Sequence, residues 1–70
     1  MWTNINHVYC SRDSQNCWAH LAGTNAWHKV LTGAADGVTN VYLLLTTAKG
    51  NNRQAYVVRD GAGNIIQAYL

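Results

Sequence analysis

The spacing of apolar residues changes once along this chain, near residue 37, and then changes back. Before that point "INHVYCS" alternates weakly and is rich in β-formers, which predicts a strand over 5–11. "SRDSQN" is turn chemistry. "CWAHLAG" predicts a second strand over 17–22, "GTN" a turn, and "AWHKVL" a third strand over 26–31.

Val38, Val41, Tyr42, Leu45 and Ala48 then fall at i, i+3, i+4, i+7 and i+10, one face of a helix. Asp36 is a suitable N-cap, because its carboxylate can accept the free amide hydrogens of the first turn and suits the positive end of the helix dipole. Lys49 suits the opposite end, and Gly50 can adopt the left-handed conformation that ends a helix. The predicted helix is 37–49, with Leu44 flanking the apolar stripe and Leu43 turned away from it. After the connector "NNR", "QAYVVRD" predicts a strand over 54–60, "GAGN" a turn, and "IIQAYL" a last strand over 65–70.

The expected fold class is α+β, in the order β-β-β-α-β-β. That is the chain order of an OB-like five-stranded antiparallel barrel, with the helix between the third and fourth strands. An open antiparallel sheet with the helix on one face has the same order, so both arrangements stay open.

Seventy residues make a single domain, 1–70. A chain this short buries only about 60% of its unfolded surface and usually needs a staple or a partner subunit. The net charge of +2 rests on eight scattered charged side chains. A nucleic-acid footprint needs a dense Lys/Arg stripe, so a nucleic-acid partner is not expected. The longest apolar run, "VYLLL", is far short of a membrane span. Few charges and much Asn, Thr, Gly and Tyr suggest a secreted or periplasmic protein whose signal peptide has been removed.

Cys10 and Cys17 lie seven positions apart. Structural zinc needs about four ligands at metal spacing, and His7, His20 and His28 complete such a set only by coincidence of fold. No C-x-x-C redox motif is present. A disulfide between neighbouring strands fits best, and two free thiols in a cytosolic protein are the alternative. Direct opposition of the two cysteines fixes a register in which partner numbers sum to 27. Val8, Cys10, Cys17, Ala19 and Leu21 then share an apolar face that should be the core. His7, Tyr9, Trp18 and His20 share the outer face and form the candidate binding surface.

Aromatic faces beside polar donors suit sugar rings. They equally suit subunit contacts, or simple packing within the hairpin. The other candidates are weaker. Asp13, Asp36 and Asp60 each fall in a turn or at a helix start, where Asp belongs for local hydrogen bonding. Ser11 and Ser14 lack a nucleophile elbow. "GAGN" lacks the helix that a phosphate loop requires. No catalytic set, metal site or cofactor motif is expected, and the protein is read as a non-enzyme. Trp27 is expected in the core, and Trp2 at a strand end or as an exposed anchor. Lys29, Arg53 and Arg59 with Tyr56 define the alternative, an OB-type surface for single-stranded nucleic acid.

Residues 26–70 also carry a resemblance. Tyr42-Leu43-Leu44-Leu45, Ala48-Lys49, Arg53-Gln54-Ala55-Tyr56-Val57-Val58 and Ile65-Ile66-Gln67-Ala68-Tyr69-Leu70 resemble short secreted bacterial proteins. In that group a "YxLLLxAAK"-like helix is followed by a "GRxVxV" strand and an "I..aYL" end. The layout is similar to the cell-binding B subunits of subtilase-type toxins. The resemblance implies an OB-like barrel, assembly into oligomers and glycan binding, and it carries over no contact residue. The function expected is a small secreted, self-associating binding module that recognises a glycan or another cell-surface partner. A purely structural or oligomeric role is a further alternative.

Overall fold

The computed structural model describes residues 1–70. Its elements are β1 (Trp2–Thr3), β2 (Ile5–Cys10), β3 (Cys17–Leu21), β4 (Ala26–Lys29), α1 (Ala35–Gly50), β5 (Ala55–Arg59) and β6 (Ile65–Tyr69). The class is α+β with one helix. The strands number six rather than five, in two antiparallel sheets of three, ordered β1-β5-β6 and β2-β3-β4. They do not form a closed barrel. Only Asn4 separates β1 from β2, so one stretch of chain serves both sheets. At the opposite side a lone parallel bridge joins Val30 to Ile65, with the Leu31 amide donating to the Ile65 carbonyl at 2.9 Å.

The first hairpin has the register that opposed cysteines predict. His7 faces His20, Val8 faces Ala19, Tyr9 faces Trp18 and Cys10 faces Cys17. The register shifts between Ile5 and His7, making Asn6 the extra residue of a β-bulge. That shift turns Ile5 inward, while His7 and Tyr9 stay outside.

Ten residues make the core: Ile5, Ala19, Leu21, Val30, Val38, Leu45, Ala48, Ala55, Val57 and Ile65. They come from both sheets and the helix, and Val8, Cys17, Val41, Leu44 and Ala68 pack against them. The predicted helical stripe is therefore the buried one, and Leu43 is exposed. Thr3 is the single buried polar residue. Its hydroxyl donates to the Asn4 carbonyl at 2.9 Å and accepts the Gly23 amide at 2.8 Å, tying β1 to the β3–β4 turn.

Both helix ends differ from expectation. The N-cap is Ala34, in extended conformation with no side-chain cap, and Asp36 lies within the first turn. There its charge still suits the helix dipole. The entry is shaped by Thr32, whose hydroxyl donates to the Ala34 carbonyl at 3.0 Å and occupies the space that a methyl on Gly37 would need. At the other end the helix runs through Gly50. Asn52, at φ 50°, takes the left-handed position instead. The Arg53 amide reaches the Ala48 carbonyl at 2.9 Å and the Asn52 amide reaches Lys49 at 3.2 Å. This is the paired bonding of a Schellman motif, and Asn, like Gly, tolerates its left-handed residue.

Candidate functional site

Three adjacent strands present one outer face. β3 pairs with β4 so that His20 faces Trp27 and Trp18 faces Lys29. Combined with the β2–β3 register, this gives two rows across the sheet: His7, His20, Trp27, and then Tyr9, Trp18, Lys29. The alternation of strand side chains puts all six on the side away from the core.

The first row is a packed aromatic cluster. His7 and His20 meet edge to face at 5.6 Å, His20 and Trp27 likewise at 5.5 Å, and His7 stacks with Trp27 at 6.0 Å. Asn6, the bulged residue, donates from Nδ2 to His20 Nδ1 at 3.1 Å. Accepting at Nδ1 places the ring proton of neutral His20 on Nε2. In the second row the Lys29 ammonium lies 6.0 Å from the Trp18 ring centre, at the edge of cation–π range. The Trp18 indole donates to Asn16 Oδ1 at 2.9 Å, which fixes its plane. Tyr9, Trp18 and Trp27 line a shallow hollow of about 300 Å³ between the rows.

The structure thus brings together His7, Tyr9, Trp18 and His20, the four residues proposed from sequence. Trp27 corrects the expectation of a core residue: it is 48% exposed and forms one wall of the hollow. Lys29 and Asn6 belong with it. The register across the 22–25 turn would have found Trp27 and Lys29. Asn6 depends on a bulge that residue pattern does not announce.

Cys10 and Cys17 stand side by side as thiols, Cys10 exposed and Cys17 partly buried, without the disulfide expected from their spacing. Opposition in the ladder positions two sulfurs for a bond but does not itself make one. Tyr42 of α1 lies against them. Burial first, then the neighbouring Cys10 thiol, pushes its phenol up to about 12. Burial and the adjacent Cys10 also push the Cys17 thiol up.

The remaining candidates disperse. Asp13 binds the Ser11 hydroxyl at 3.1 Å within its own loop, Asp36 sits in the first helical turn, and Asp60 closes the last hairpin. No three His, Cys, Asp or Glu side chains gather at one point. Lys29 lies in one sheet while Tyr56 and Arg59 lie in the other, so the set proposed for nucleic acid is divided. Tyr56 instead joins a second aromatic group. It stacks on Tyr69 at 5.0 Å and meets Trp2 edge to face at 5.4 Å. Trp2 is both a strand residue and exposed. No helix is long and apolar enough to cross a membrane. No protein-family model, curated protein or solved structure matches this chain.

Proposed function

We propose that this chain is a small secreted binding module that takes a glycan on the outer face of β2, β3 and β4. The observation that carries the reading is the hollow between Tyr9, Trp18 and Trp27, with His7, His20 and Lys29 at its margin. A pyranose presents C–H groups on its faces and hydroxyls at its rim. Indole and phenol rings accept the first by dispersion, while imidazole and ammonium groups hydrogen-bond the second. A shallow open face fits a sugar better than a charged polymer, because one lysine gives little purchase on phosphate.

The OB-like reading belongs to the same proposal. Strand neighbours run β4-β3-β2, pass Asn4 to β1-β5-β6, and return to β4 through the Val30–Ile65 bridge. This order supports reading the fold as a barrel left unzipped along one side. In such barrels the face of the second and third strands binds oligosaccharides and oligonucleotides, and here those strands are β3 and β4. The resemblance to toxin B subunits points the same way.

Self-association is the second component. Eight large apolar side chains are exposed, among them Trp2 and Tyr69 of the second aromatic group. A second copy of the chain is the occupant we assign to that surface, because sheet edges and apolar area on so small a domain gain most from a neighbouring subunit.

A glycan array followed by titration of tryptophan fluorescence tests the binding reading. Binding that Trp27→Ala abolishes, in a protein with unchanged circular dichroism, is the expected result. Silence across the array, or binding indifferent to Trp27, overturns it. Salt-sensitive retention of single-stranded DNA on a filter favours the nucleic-acid alternative instead. Native mass spectrometry reads self-association, and a monomer at high micromolar concentration removes that component.

A further inference from the structure

Cys10 and Cys17 occupy a particular kind of ladder position. The Ser11 amide donates to the Asn16 carbonyl at 3.1 Å, making those two the hydrogen-bonded pair beyond the cysteines. The Cys17 carbonyl accepts from Val30 at 2.9 Å, so the Cys17 peptide faces β4 and not β2. Cys10 and Cys17 are therefore a non-hydrogen-bonded pair, the closer of the two antiparallel kinds, with Cα atoms typically about 4.5 Å apart. Disulfides span Cα separations from about 4.4 to 6.8 Å, so a bond here needs no change of register. Exposed disulfides are among the readily reduced ones, and Cys10 is exposed.

The two thiols differ in access. Cys10 is exposed, whereas Cys17 is partly buried and packs against the core. We propose that the pair is a thiol–disulfide exchange site, in which Cys10 captures a small-molecule disulfide and Cys17 resolves the adduct. The Cys10 thiolate attacks one sulfur of R–S–S–R. A Cys10–S–S–R bond forms, and R–S⁻ leaves and takes up the proton that Cys10 lost. The Cys17 thiolate then attacks the Cys10 sulfur, closing the Cys10–Cys17 bond and expelling the second R–S⁻, which is protonated in turn. Two protein thiols are oxidised, and one disulfide is reduced to two free thiols. Cys17 resolves rather than initiates because its thiol is pushed up by burial, leaving less thiolate for the first attack.

The site also touches the rest of the molecule. The next pair along the ladder is Tyr9 with Trp18, so closing the bond pins the register of the aromatic face. Tyr42 lies on the inner side of the pair and couples it to α1.

The test uses the reduced full chain, anaerobic, with oxidised glutathione as probe and intact mass as readout. The wild-type protein should lose two hydrogens, carry no lasting adduct, and return to the dithiol with excess reductant. Cys17→Ser should accumulate one glutathionyl group at Cys10. Cys10→Ser should react at least about 10-fold more slowly, because its remaining thiol is the shielded one. A stable adduct on the wild-type chain, an unchanged thiol count, or equal rates in the two variants overturns the proposal. The wild-type measurement stands whether or not either variant folds.

Discussion

His28 holds the two sheets together through Gly63: its Nδ1–H donates to the Gly63 carbonyl at 2.8 Å. On the other side of the ring, Nε2 lies 2.7 Å from the Thr24 hydroxyl. The carbonyl can only accept, so the Nδ1 proton is fixed and neutral Nε2 accepts from Thr24. Gly63, at φ 87°, can present that carbonyl because a left-handed turn costs glycine nothing. His28→Phe keeps the ring but leaves the carbonyl and the hydroxyl without partners. It should destabilise the protein by about 1–3 kcal/mol. Urea unfolding should show a lower midpoint with an unchanged slope.

Leu43 and Leu45 are close in sequence and opposite in consequence. Leu45 is fully buried, while Leu43 is 59% exposed. Leu45→Ala should cost about 2–5 kcal/mol, a large share of what a chain this size holds. Leu43→Ala should stay within about 0.5 kcal/mol. Thermal or urea denaturation of the two variants distinguishes them, and equal losses would contradict the assigned helix face.

Asp60 gives the acid limb of stability a defined source. Its Oδ1 accepts the amides of Asn64 at 2.9 Å and Ala62 at 3.0 Å, and Oδ2 accepts the Asn64 side chain at 3.2 Å. These bonds, led by the Asn64 amide, hold its carboxyl below the usual carboxylate range. A lowered folded-state value means that the charged form is favoured on folding. The contribution is therefore present above the unfolded value of about 3.9 and is lost as pH falls below it. Asp60→Asn should flatten the loss of stability below about pH 4, and carboxyl chemical shifts should place the wild-type group low.

Tyr42 works at the other end of the scale. Burial and the Cys10 thiol raise its phenol to about 12, so folding favours the neutral form. That contribution is complete below the unfolded value of about 10 and disappears as pH climbs from there toward the folded value. Absorbance at the phenolate band should show one of the four tyrosines ionising late. Tyr42→Phe should remove that late step together with its share of alkaline destabilisation.

Much of this was legible in the residues. Opposing Cys10 and Cys17 fixed every partner from His7 to Trp18, because strand alternation leaves no freedom once one pair is set. The helix face followed from spacing alone. Trp27 was misplaced because a lone tryptophan in a short strand says nothing about which way the strand faces; only its opposition to His20 does. The division into two sheets depended on Trp2 and Thr3 pairing with Tyr56 and Ala55, a contact across most of the chain that two residues cannot signal locally. Asp36 and Gly50 were plausible caps displaced by neighbours: Thr32 beside Gly37 at one end, and Asn52 at the other.

The Val30–Ile65 bridge also sets how this protein comes apart. Each sheet is laced along several residues, but only that pair, its flanking amide and the His28–Gly63 bond span the gap between β4 and the β5–β6 hairpin. Few main-chain bonds hold this seam, so hydrogen exchange at the Leu31 amide should run faster than at the amides inside either sheet.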